Sequence, residues 1–314
     1  GSVVHGDMNG VQITGLANLA GGTMRGVQLA GISNISGNNT VGLSAAGLVN
    51  ITGDRTQGVI ISGLTSIGGD NTSGLMISGF MNVTGNMASG LHFSGAANIT
   101  GQSFGGLMAS GLLNVVGEHM NGLQMAGIAN ITASKLNGVQ IALCNYATQA
   151  RGLQIGLVNY YKEDMKGFQL GLVNANPDTR VQMMVYGGNA TPANIGVRFK
   201  NQLFYTILGI GSMYQGLNDK FSASASYRAG LSFTLYKGLS ISGDLGYQHI
   251  EAFDNKDEVI PKRLYALQAR ANLEYQITRK FGIYATGGYG LTRFYNKSSN
   301  YDKGAIIEAG IVLF

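Results

Sequence analysis

The chain has 314 residues, of which 49 are Gly, three are Pro and none is Trp, and charged side chains make up only 12%. Residues 1 to 150 carry seven charges, Asp7, Arg25, Asp54, Arg55, Asp70, Glu118 and Lys135, which sum to −1, so the positive net charge of the chain, +5, comes entirely from the remainder. This split predicts two domains, 1–177 and 178–314, and excludes collagen and low-complexity classes, so regular backbone geometry must account for the Gly. No apolar run reaches the roughly eighteen residues of a transmembrane helix, and the lack of a signal peptide ahead of Gly1 is expected of a processed secreted chain.

In the first part Gly recurs every sixteen residues at Gly10, Gly26, Gly42, Gly58, Gly74, Gly90, Gly106, Gly122 and Gly138. A second Gly follows five residues later, from Gly15 to Gly127, and a third at plus eleven, from Gly21 to Gly117. Shorter, degenerate units begin at Gly138, Gly152 and Gly167. Positions plus one and plus three are apolar, as in Val11 and Ile13 or Leu75 and Ile77, which is the period of a strand; plus six and plus nine are apolar as well. A unit this short cannot bury an apolar face alone, so the repeat predicts a parallel β-solenoid whose stacked 16-residue coils enclose these aliphatic side chains in one core. Gly at the cuts supplies positive φ and close coil-to-coil approach. Eleven or twelve coils at about 4.8 Å each would make a rod roughly 50 to 60 Å long.

Position plus eight is Asn18, Asn34, Asn50, Asn82, Asn98, Asn114 and Asn130, with Ser66 as the exception. Identical amides in a column predict a hydrogen-bonded structural ladder, and the Asn-x-Thr matches to a glycosylation acceptor follow from the period alone. Cys144 stands where neighbouring units have Val and reads as a small core residue. Ile60, Met76, Met81, Met108 and Leu113 read as an outward apolar stripe on the middle coils, a candidate contact surface for a partner.

Other chemistry is thin. His5, His92, His119 and His249 lack metal-ligand spacing and read as surface or lumen residues. The Gly53-Asp54 and Gly69-Asp70 turns lack the repeated Asp column of calcium-binding solenoids, and the Thr row Thr52, Thr84, Thr100 and Thr132 is too interrupted to make an ice-binding face. Seven scattered charges cannot supply the clustered carboxylates and cations of a β-helical polysaccharide lyase. No catalytic, cofactor or metal site is expected, nor nucleic-acid binding.

After Pro177 the pattern changes to longer strands. From Leu264 to Ile277 one face carries Gln268, Arg270, Asn272, Glu274 and Gln276, while the other carries Tyr265, Leu267, Ala269, Ala271, Leu273, Tyr275 and Ile277. Polar-in, apolar-out alternation with Tyr near both ends is the signature of a strand in a membrane barrel. Further strands read as about 180–187, 193–200, 203–213, 226–235, 240–248, 281–295 and 304–314, which makes eight. An eight-stranded antiparallel outer-membrane barrel leaves an interior that side chains fill, so Arg198, Arg228, Asp244, Arg270, Glu274 and Glu308 are expected to pair inside as a polar plug. Short connections near 201, 237 and 279 and long ones near 217, 257 and 300, with the terminal aromatic Phe314, agree with such a barrel and place the solenoid on the periplasmic side.

The units GLQIGLVN at Gly152–Asn159 and GFQLGLVN at Gly167–Asn174 resemble the surface-repeat outer-membrane proteins of Bacteroidetes-type bacteria and spirochaetes, and QLFYTILGIGSM at 202–213 resembles the barrel that closes the Bacteroidetes members. The resemblance covers most of the chain, although the first nine units are longer than the family form. It implies a cell-surface solenoid, against the strand count, and both placements stay open. The sequence as a whole points to a non-enzymatic structural or interaction protein. Outer-membrane lipid is the expected partner of the barrel, and a protein partner, self-association or a surface polysaccharide that of the solenoid. The alternative is an outer-membrane transport or porin-like protein, with the repeats themselves forming membrane strands of a larger barrel.

Overall fold

Residues sixteen apart in the repeat lie side by side: Gly74 is flanked by Gly58 and Gly90, and Leu75 by Val59 and Leu91, all in parallel register. The computed structural model describes residues 1–214, 217, 221–253, 263–295 and 301–313, and it divides the chain into two units, Gly1–Gly171 and Leu172–Phe314. Phe314 and most of the expected long loops around 217, 257 and 300 lie outside the described residues.

The first unit holds strands β1 (Ser2–Val4) to β19 (Val158–Leu170). Each early coil contributes a long strand and a short one, as in β2 (Met8–Thr14) and β3 (Ala17–Ala20), and each strand pairs in parallel with its counterpart one coil on. Backbone bonds continue through the corners, where Gly79 N donates to Ser62 O at 3.1 Å and Phe80 N to Leu64 O at 2.9 Å. The repeat is therefore a β-solenoid of about eleven turns. Parallel pairing overturns the alternative in which the repeats are antiparallel strands of a larger barrel.

Two glycines show why the spacing is fixed. Gly74 has φ of +118°, a region that side chains with a Cβ rarely adopt. Gly79 has no such φ, but a Cβ there would collide with the carbonyl of Gly63 in the preceding coil.

The face that turns inward is the reverse of the expected one. Val11 is 69% exposed and Ile13 66%, whereas Gln12 between them is buried. Gln28, Gln124, Gln140 and Gln154 in the same column are buried too, as is the whole Asn column. The coil interior therefore combines amide and hydroxyl columns with apolar filler such as Ala88, Phe104, Met108, Met120 and Leu136. The aliphatic columns at plus one, three, six and nine point out. Identical amides stacked one coil apart satisfy one another, so enclosing them costs little.

The second unit begins with β20 (Val173–Ala175) and then forms a closed antiparallel barrel from β21 (Arg180–Gly188), β22 (Ala193–Asn201), β23 (Phe204–Ser212), β24 (Ser222–Tyr236), β25 (Leu239–Ala252), β26 (Arg263–Thr278), β27 (Phe281–Phe294) and β28 (Asp302–Leu313). Consecutive strands pair around the ring, and β28 closes on β21 through partners such as Val185 and Ile311.

Candidate functional site

Strand alternation places all six expected lumen residues inside the barrel, where each is at most 9% exposed. Arg198 on β22 meets Glu274 on β26 in a two-pronged pair, Nη1 to Oε2 at 2.6 Å and Nη2 to Oε1 at 3.0 Å. These strands stand four apart in a ring of eight, so the pair crosses the lumen. Arg228 grips Asp244 through Nε and Nη2, both at 2.8 Å, and lies 3.7 Å from Glu308 on the opposite wall. Arg270 completes the set by donating to both Glu308 oxygens at 3.0 and 3.2 Å.

Neutral groups finish the network. Tyr205 donates to Asp244 at 2.8 Å, Asn272 donates to the same carboxylate at 2.8 Å, and Gln182 accepts from Arg198 Nε at 2.7 Å. Asn272 sits on a polar face legible as alternation, whereas Gln182 shares its inward face with Met184 and Tyr186. Tyr205 was not legible, because Thr206 and Ile207 beside it are buried as well and the phase of β23 is lost in sequence. The reason for Thr206 is local, since its hydroxyl donates to Leu172 O at 3.0 Å and the strand is covered there. Only Arg228 Nη1, Arg270 Nη1 and Gln182 Nε2 lack a hydrogen bond within this set, and the paired charges fill the barrel and bind its walls together.

The barrel's outer wall is apolar, with Val181, Ile195, Leu231, Leu245, Leu267, Leu273, Ile283 and Ile307 all exposed. Tyr247, Tyr265, Tyr295 and Tyr301 cluster toward one rim, with Tyr265 and Tyr301 hydroxyls 3.0 Å apart, and exposed Tyr236 and Tyr275 stand toward the other. An apolar band between aromatic belts is the surface that a lipid-immersed barrel presents.

In the solenoid, Asn18 Nδ2 donates to Asn34 Oδ1 at 2.9 Å, and the pattern continues from Asn34 to Asn50 at 3.0 Å. Ser66 interrupts it, and the hydroxyls of Ser62 and Ser78 bridge Ser66 to Asn50 and Asn82. From Asn82 the ladder resumes through Asn98, Asn114 and Asn130, and runs on to Asn145 and Asn159.

The expected contact stripe does not exist as a surface. Ile60, Met76 and Met108 are 3%, 1% and 0% exposed, because they occupy the inward Gln column, while Met81 and Leu113 lie half-buried on the outer short-strand face. The same inversion puts Thr52, Thr84, Thr100 and Thr132 inside, where no ice lattice can reach them, and buries His92. Cys144, expected in the core, is exposed. Among the described residues no group of three His, Cys, Asp or Glu side chains is placed to hold a metal ion.

The fold and lumen define an all-β protein: a parallel β-solenoid joined to an eight-stranded antiparallel barrel whose interior is filled by ion pairs. No protein-family model and no curated protein matches the chain. Among solved structures, the N-terminal β-barrel domain of Pseudomonas aeruginosa OprF is similar at 18% identity and a TM-score of 0.29, over 42% of this chain and 95% of that one.

Proposed function

We propose that this protein is a structural or interaction component of a bacterial outer membrane, in which the barrel anchors and the solenoid presents a long, charge-poor surface. One observation carries the reading: the barrel pairs an apolar, aromatic-rimmed outer wall with a lumen occupied by Arg198–Glu274, Arg228–Asp244 and Arg270–Glu308. A wall of that kind suits lipid, and a lumen of that kind leaves little room for a continuous water column. The repeat units that resemble the surface-repeat proteins support the same role, and the solenoid's lack of clustered carboxylates supports binding over catalysis.

Planar-bilayer recording of the purified full chain tests this. The anchoring role predicts insertion without stable open-channel currents. Long-lived, solute-selective conductance would support transport instead.

A further inference from the structure

The solenoid is apolar on the outside in a regular way. In all eleven coils from Gly10 to Gly167, the residues at plus one and plus three are aliphatic, aromatic, Met or Ala. At plus one Val11, Leu91 and Phe168 are exposed and the other eight are half-buried, and at plus three Ile13, Ile61, Ile77, Met125 and Leu170 are exposed and the rest half-buried, whereas the residue between them is buried. The short strands repeat the pattern with Leu19, Ile67 and Val158 exposed. Where these two faces meet, just after the middle Gly, Leu16, Ile32, Leu48, Leu64, Phe80 and Leu112 form an exposed apolar corner.

The third side is different. All twelve charged side chains between residues 1 and 171 fall within the five residues that precede the first Gly of a coil, six of them cationic and six anionic. The two apolar faces carry none. At about 4.8 Å per coil and 3.3 Å per residue, the long-strand face alone covers on the order of 1,000 Å², well above the apolar patches that water-exposed monomers tolerate.

We propose that the two charge-free faces of the solenoid lie among the acyl chains of a lipid bilayer, with the charged side turned to water. This goes beyond the anchoring role of the barrel and rests on it in one respect, that the protein lives at a membrane. Lipid fits better than a protein partner for three reasons. Hydrocarbon offers no hydrogen bonds, and the two apolar faces ask for none, since the backbone is bonded coil to coil and the side-chain amides point inside, where they bond one another apart from the oxygens of Asn18 and Gln28. The faces are built from the same residue types as the barrel's outer wall. The charges are confined to the side opposite the apolar corner, which is the polarity of an interfacial element that lies in the membrane plane. The equal number of cationic and anionic groups means that apolar burial drives the contact and that anionic headgroups are not required.

Cys144, the only cysteine, is exposed on the short-strand face between Ala129 and Val158, so it is a native probe. The full chain, spin-labelled at Cys144, is reconstituted in phosphatidylcholine vesicles. Two control labels are placed in the Cys144→Ser background, Gln57→Cys on the charged side and Leu273→Cys on the outer barrel wall. The proposal predicts that dissolved oxygen relaxes the Cys144 label more than a water-soluble nickel complex does, that Gln57→Cys shows the reverse, and that added phosphatidylglycerol changes neither. If Leu273→Cys reports lipid but Cys144 reports water, the solenoid proposal falls and the barrel anchor stands. If both report water, the membrane reading falls with it. Strong spin–spin broadening at Cys144 that vanishes on dilution with unlabelled protein would assign the face to a second copy and also overturn the proposal.

Discussion

Arg228 and Asp244 face each other across neighbouring barrel strands, joined by two hydrogen bonds of 2.8 Å, with side chains 1% and 0% exposed. Asp244 also accepts from Tyr205 and Asn272, so its charge is compensated from three directions. Removing one partner leaves the other ionised and buried. Asp244→Ala is expected to destabilise the barrel by about 3–5 kcal/mol, while the double change Arg228→Met with Asp244→Leu is tolerated far better. Urea denaturation in detergent, followed by loss of the heat-resistant folded band, measures both; equal losses would remove the pair from its central place.

The Asn ladder should behave as a chain of dependent bonds. Asn98 receives a bond from Asn82 at 2.8 Å and donates to Ala109 O at 2.8 Å and Asn114 at 2.9 Å, all away from water. Asn98→Ala leaves at least one amide and one carbonyl unpaired, at about 1–3 kcal/mol each. Thermal unfolding of the solenoid should shift accordingly, whereas Asn137→Ala, which removes an exposed bond to Asn121, should have little effect.

Glycine positions separate into two kinds. Gly79→Ala drives a methyl into the Gly63 carbonyl and should cost about 3 kcal/mol by overpacking. A Cβ at Gly105 meets nothing within 4 Å, and Gly105→Ala should be neutral or stabilising by up to about 1 kcal/mol. Comparable losses in the two variants would argue against the coil spacing.

His92 supplies a pH dependence. It is buried between Met76 and Met108 in the inward column, with the Phe104 ring edge-on at 5.0 Å, and its desolvation lowers the pKa from 6.5 to about 4. No charged side chain faces it, because the solenoid's charges lie on the exposed third side. A lowered folded pKa means that the unfolded chain binds the proton first. Stability is therefore unaffected above about pH 6.5, falls between there and pH 4, and levels off below, a loss of about 3 kcal/mol for this group. Denaturation midpoints at pH 7 and pH 4.5 should converge in a His92→Leu variant relative to the parent.

The architecture was legible and the inner face was not, for one physical reason. Gly10, Gly26 and their successors fix the coil length, and the Gln268 to Glu274 alternation marks a barrel strand, because both depend on spacing alone. The alternation Val11-Gln12-Ile13 marks a strand but carries no sign. The ordinary rule that apolar residues turn inward gives the wrong sign here, because these coils enclose their amide columns and turn the aliphatic ones outward. Gln12, Gln28, Gln124 and Gln140 held the missing information, since amides repeated in register are stable when enclosed and stacked. Met76 and Met108 stand in that same enclosed column.

Which residues face the coil interior is the claim on which the rest stands, and an accessibility scan of one long strand tests it most directly. Single spin labels at successive residues from Asn121 to Ala126, in the Cys144→Ser background and in vesicles, should give oxygen accessibility maxima at Leu123 and Met125 and a minimum at Gln124. Maxima at Gln124 with Leu123 and Met125 shielded would contradict the account.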